Sequence, residues 1–162
     1  MVDSVKKSQQ QIGGLGSSSS AAADDINLTP QFYLNVLVYS KDRPYQLSQF
    51  LESFFKMCSC EGLDVCLNIL YTFTPNSNFE RYYEQIKSRF RQSATLKWHK
   101  EDGTVDQITK VIKGDKPQQR EGCELHSYFS FMVDDMIFFR DLKLLECVSA
   151  LHETTKAYAL HI

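Results

Sequence analysis

The chain has 162 residues, 43% of them hydrophobic and 23% charged, with a formal net charge of −2. That length carries one domain with a real core, and the composition is that of a globular protein. The slightly acidic balance leaves no basic footprint for nucleic acid, and no apolar run is long enough to span a membrane.

Residues Met1 to Asn27 hold Gly13-Gly14, Ser17 to Ser20 and Ala21 to Ala23 with few large apolar groups. Lys6 and Lys7 are not followed by the apolar stretch that a signal peptide needs. Burial there cannot offset ordering entropy, so residues 1–27 are expected to be a disordered low-complexity tail, with one domain over 28–162. Cys58, Cys60, Cys66, Cys123 and Cys147 form no C-x-x-C pair and are odd in number. They read as free, partly buried thiols in a reducing compartment, which places the chain in the cytoplasm.

Phe32 to Tyr39 predicts a first strand, ended by Ser40-Lys41-Asp42-Arg43-Pro44. Pro44 suits the first position of a helix, where a missing N–H is harmless. Leu47, Phe50, Leu51, Phe54, Phe55 and Cys58 then recur at the spacing of one buried helical face, up to a stop at Gly62. Val65 to Thr72 is a second strand, Thr74-Pro75-Asn76 a turn, and Ser77 with Glu80 a capping box. The second helix presents Phe79, Tyr82, Tyr83, Ile86 and Phe90 inward. Ala94 to His99 is a shorter strand at an edge, in which Trp98 either packs as an edge-strand residue or stacks on a ligand. Thr104 and Gln107 make a capping box for a short helix carrying Val105, Ile108 and Ile112. Gly114 to Leu125 reads as a mobile loop, and Tyr128 to Val133 as a buried central strand, apolar on both faces. Asp141 caps a helix with Leu142, Leu145, Val148 and Leu151 inward, and Tyr158 to Ile162 is one more strand.

Strands alternating with amphipathic helices define an α/β domain, with a mostly parallel sheet and helices on both faces. Ligands of such sheets sit at the carboxyl ends of the strands. Ser40 to Arg43, Thr72 to Asn76, Glu101-Asp102 and Asp134-Asp135 all fall there. A buried strand ending in Asp134 and Asp135 demands compensation, because adjacent carboxylates repel and one buried charge alone is costly. A divalent cation with oxygen ligands is one solution; a turn in which one acid faces water is the other. Arg43 is either a nucleotide contact beside a helix N-terminus or a surface ion-pair partner. Asp42 either accepts from a base or ribose or merely shapes the turn. No G-x-G-x-x-G and no P-loop is present, so any phosphates must be held through metal.

Two segments carry a resemblance. Val36 to Leu47, with Leu51-Glu52-Ser53 beyond it, resembles the strand, D-R-P turn and L-x-S-L helix of family-2-like nucleotide-sugar glycosyltransferases of GT-A fold. Phe131-Met132-Val133-Asp134-Asp135-Met136-Ile137-Phe138 resembles their metal-binding D-x-D strand, at a similar distance along the chain. The resemblance spans Phe32 to Ile162 and implies a nucleoside-diphosphate sugar donor, an unspecified acceptor and a cofactor Mn²⁺ or Mg²⁺. It places the nucleotide at Ser40, Asp42, Arg43 and Asp134, and the metal at Asp134 and Asp135. It also implies an incomplete GT-A-like domain, because such transferases continue into an acceptor region. The chain departs from D-x-D, which wants an acid at Val133 or at Met136, and neither is one. The division of labour then expected is metal on Asp135 and ribose on Asp134. No residue is a convincing general base. Two other readings stand beside this one: a non-catalytic nucleotide-binding or interaction module, and a Mg²⁺-dependent phosphotransfer or nuclease domain.

Overall fold

A computed structural model describes residues 29–103, 105–114 and 116–154. The expected tail, Thr104 of the second capping box and the strand at Tyr158 to Ile162 lie outside the described residues. A four-stranded parallel sheet is built from β1 (Thr29–Lys41), β3 (Asp64–Thr72), β4 (Leu96–Lys100) and β5 (Cys123–Val133), in the order β4-β3-β1-β5. Helices α1 (Pro44–Met57), α2 (Phe79–Arg89), α3 (Val105–Lys113) and α4 (Leu144–Glu153) connect or follow the strands. This is the α/β architecture with a mostly parallel sheet that the alternation of strands and helices predicts, and it is consistent with a Rossmann-like or GT-A-like fold.

The period-two pattern of β1 sorts its side chains between two layers. Phe32, Leu34, Val36 and Val38 join Leu67, Ile69 and Tyr71 of β3 in the main core. That core is closed by Leu47, Phe50, Leu51 and Phe54 of α1, Tyr83 and Ile86 of α2, and Leu144 and Val148 of α4. On the opposite face Leu37, Leu70 and Val111 of α3 form a smaller cluster, with Tyr39 against it. Helices therefore cover both faces.

A row of amides holds α3 in place. Asn68 donates to the Asn35 side-chain oxygen at 2.7 Å, and Asn35 donates to the carbonyls of Val111 at 3.0 Å and Ile112 at 3.1 Å. His99 Nε2 lies 2.9 Å from the Asn68 side-chain oxygen. Carbonyls at a helix C-terminus have no partner within their own helix, and here a strand side chain supplies one.

Several local expectations give way. The stretch Tyr128 to Val133 is not central: β5 pairs only with β1 among the described strands, and its outer face carries Phe129, Phe131 and Val133 exposed, Phe131 at 60%. Cys123 to Leu125, expected in the loop, already belong to β5. In α3 it is Val111 that is buried, while Val105 is 80% exposed and Ile108 and Ile112 also face outward. Phe55 and Tyr82 likewise leave the inner faces of their helices. Helix α1 ends at Met57, before Gly62, because the chain enters a two-residue strand β2 (Cys58–Ser59). Its parallel partner β6 (Leu142–Lys143) delays the last helix, whose N-cap is Lys143 rather than Asp141. Gly62 instead turns the chain into β3 at φ 74°, where an added Cβ would meet Leu145 at 3.0 Å. The N-cap of α2 is Asn78, and the Ser77 hydroxyl accepts the Phe79 N–H rather than completing a box with Glu80.

Candidate functional site at the ends of β1 and β5

In the order β4-β3-β1-β5 the connections leave β1 toward one edge and return to its other side at β5. That reversal is the topological switch point of an open parallel sheet, where the strand ends part to leave a crevice. The turn after β1 carries Ser40, Asp42 and Arg43; the turn after β5 carries Asp134 and Asp135. The parallel register pairs Tyr39 with Val133, so the two turns are neighbours on one rim.

Asp134 is 3% exposed, and its Oδ2 is buried with no hydrogen-bond partner. Its position is fixed from behind. Met136 and Phe138 return into the core, Phe138 packing on Phe50 and Phe54, and the Phe138 N–H donates to the Ser53 hydroxyl at 3.1 Å. Burial holds the Asp134 carboxyl above the usual carboxylate range; the Ser40 hydroxyl and the Arg43 guanidinium pull it down, and Asp135 pushes it up again. Asp135 itself is exposed. Arg43 Nη1 lies 3.4 Å from Asp135 Oδ2 and 3.8 Å from Asp134 Oδ1, so one nitrogen faces both acids.

Ser40 is fully buried and shares a 2.7 Å hydrogen bond with the Tyr83 hydroxyl. That hydroxyl also accepts the Arg43 backbone N–H at 3.3 Å, tying α2 to the turn that opens α1. Asp42 adopts φ 55°, a left-handed conformation that Asp tolerates better than most residues. Its carboxylate accepts the Thr74 N–H at 2.6 Å and the Thr74 hydroxyl at 2.7 Å. Those two bonds hold the Asp42 carboxyl below its ordinary value. Asp42 therefore staples the loops after β1 and β3 together.

The structure brings Arg43, Asp134 and Asp135 into contact, with Ser40 beside them, and sets Asp42 to one side on Thr74. A cavity of about 500 Å³ opens near Asp42 between the first turns of α1 and the length of α2, lined by Tyr45, Phe79, Tyr82 and Arg89 among others. Glu101 accepts from the Tyr39 hydroxyl at 3.2 Å. Trp98 packs edge-on against Tyr71, as expected of an edge-strand residue. Tyr83 and Thr74 are the supporting residues that the sequence does not announce. Tyr83 shows only as one apolar position of a helix, and Thr74 only as a turn residue.

Among the described residues no group of three or more His, Cys, Asp or Glu side chains is placed to hold a metal ion. An all-protein cage therefore does not fit. A buried carboxylate oxygen without a partner beside a second, exposed carboxylate does fit an ion shared with a ligand, since Mg²⁺ is commonly held by one or two carboxylates and substrate phosphates. Among the described residues no helix is long and apolar enough to cross a membrane.

Fold and rim together define an α/β protein with two adjacent acids and an arginine at its switch point. The chain is distantly similar to a curated glycosyltransferase: it is 26% identical over 122 residues to the bifunctional glycosyltransferase pgtA of Dictyostelium discoideum. The match covers 72% of this chain and 14% of that protein, so the chain corresponds to a small part of its relative. No family model matches the chain, and no solved structure matches it significantly.

Proposed function

We propose that this chain is a GT-A-like domain that binds a nucleoside-diphosphate sugar at the rim between β1 and β5. The observation that carries the reading is the buried Asp134 carboxylate with an unpartnered oxygen, set at the switch point beside Asp135 and Arg43. A buried ionised oxygen is unfavourable unless something cationic or protonated meets it. The distant glycosyltransferase similarity points to the same class of ligand.

In this reading Asp134 and Asp135 hold Mn²⁺ or Mg²⁺ together with the diphosphate, and Ser40 stays a buried support. When bound, the ion supplies charge neutralisation for a departing nucleoside diphosphate. Arg43, at the N-cap of α1, offers a permanent positive charge where anions are favoured. Asp42 keeps the loop after β3 in place beside the nucleotide through Thr74. The class of reaction is attack by an acceptor hydroxyl on the anomeric carbon of the donor.

Thermal shift and calorimetry with Mn²⁺ and a panel of nucleoside diphosphates and their sugars test this. The wild-type chain should be stabilised by at least one diphosphate in the presence of Mn²⁺. The Asp134→Asn, Asp135→Asn double variant should lose that response, since neutral amides cannot offset the charge of a divalent cation. Equal nucleotide binding by variant and wild type would sink the metal-site reading.

A further inference from the structure

We propose that Arg43 is the resident counter-ion of the Asp134-Asp135 pair and is displaced by the divalent cation, so that cation and diphosphate bind cooperatively. This rests on the donor-site reading above and adds how that site is controlled.

The geometry is that of a placeholder. One guanidinium nitrogen faces both acids, but at 3.4 Å and 3.8 Å, well outside the 2.7–2.9 Å typical of charge-assisted hydrogen bonds. The Arg43 side chain is 52% exposed, and exposed pairs of this kind contribute little. Its backbone, by contrast, is anchored: the N–H donates to Tyr83 and the carbonyl accepts from Leu47 at 3.0 Å. The side chain can therefore swing without disturbing α1. Arg43 also leaves the Asp134 carboxylate only half met: its nitrogen faces Oδ1, while Oδ2 is buried without a partner. A long contact to one oxygen and none to the other is not a satisfied ion pair.

A divalent ion and a guanidinium cannot share this space. An arginine cannot shed its charge in a protein, so it must move. With the ion alone, Arg43 loses its acids and gains only water, which weakens ion binding. With a diphosphate present, the displaced guanidinium meets phosphate oxygens at the N-terminal end of α1, where they are favoured. A diphosphate without the ion competes with the two carboxylates for the same arginine. Each ligand thus removes the obstacle to the other, and the coupling must be reciprocal.

The test measures Mn²⁺ binding to the full chain from the loss of the free-ion paramagnetic resonance signal, alone and with UDP or GDP as the diphosphate probe. Arg43→Gln, checked for folding by circular dichroism, should bind Mn²⁺ alone about tenfold more tightly than wild type. Arg43→Lys, which keeps the charge, should stay near wild type. UDP or GDP should tighten Mn²⁺ binding by wild type and do so several-fold less for Arg43→Gln. A wild type that binds Mn²⁺ with a diphosphate, beside an Arg43→Gln that binds Mn²⁺ alone no better, overturns the placeholder and leaves the donor site standing. Absence of Mn²⁺ binding in every arm overturns both.

Discussion

Asp42 and Asp134 sit on one rim and respond to pH in opposite senses. Asp42 is held below its ordinary value of 3.8 by Thr74. Its stabilising contribution is present above that value and is lost as pH falls through the depressed pKa. Asp134 is held above 3.8, chiefly by burial. Its contribution is intact below 3.8 and is lost as pH rises through the raised pKa. Asp134→Asn should therefore raise the melting temperature of the ligand-free protein at neutral pH, and the gain should vanish in acid. Asp42→Asn should lower it at neutral pH, with the two curves converging in acid. Melting curves collected from acid to neutral pH check both, and a lower melting point for Asp134→Asn at neutral pH would contradict the burial argument. A third residue gives a chemical prediction. Burial pushes the Cys58 thiol up to about 12, and the neighbouring Cys60 and Cys147 thiols are raised as well. Thiolate is the reactive species. Iodoacetamide at mildly alkaline pH should leave Cys58 unlabelled in the native protein and label it once denaturant is added, as mass spectrometry would show.

Among the elements, the row from His99 through Asn68 and Asn35 to the end of α3 is the most exposed to a single change. Asn35→Leu removes two bonds to the Val111 and Ile112 carbonyls and leaves Asn68 only the weak Cys66 sulfur as acceptor. Groups left buried without partners should cost about 2 to 4 kcal/mol, read as a lower midpoint in urea. A loss near zero would mean that water replaces the amide. This row also explains which elements were legible. The apolar spacing of α1 points to one face only, and the structure buries Leu47, Phe50, Leu51 and Phe54 as that spacing requires. In α3 the apolar residues spread around the helix, and the Asn35 bonds to its last turn select Val111. Asp141 precedes a leucine-rich run and looks like a cap, but pairing of Leu142 with Cys58 keeps the chain extended there. The acids of the rim were legible because two carboxylates ending an apolar strand are locally anomalous. Their supports were not, since Tyr83 meets Ser40 and Thr74 meets Asp42 only after the chain has folded across long separations.

At the scale of the molecule, apolar side chains are exposed on β5 and in the segment that follows it. Phe129, Phe131, Val133, Ile137 and Phe139 are all exposed among the described residues, beside a strand edge that no described strand pairs. Edges and patches of this kind promote association between copies. The chain should self-associate as its concentration rises. Phe131→Lys should reduce this in sedimentation runs without lowering the melting temperature, because the ring it replaces lies mostly in water. Unchanged association would place the contact elsewhere on the molecule.

The register of the central strand has a temporal consequence. β1 pairs with β3 and β5, and the β5 register joins Thr29 to Cys123 and Tyr39 to Val133. On the ribosome the first strand is finished long before its outer partner exists. At about 5–20 residues per second that interval is on the order of 5 to 20 s. Throughout it, the side of β1 that will meet β5 has only water or a chaperone to face. Nascent chains halted before Cys123 should therefore be cut readily by protease within β1, and chains halted after Val133, once clear of the exit tunnel, should resist.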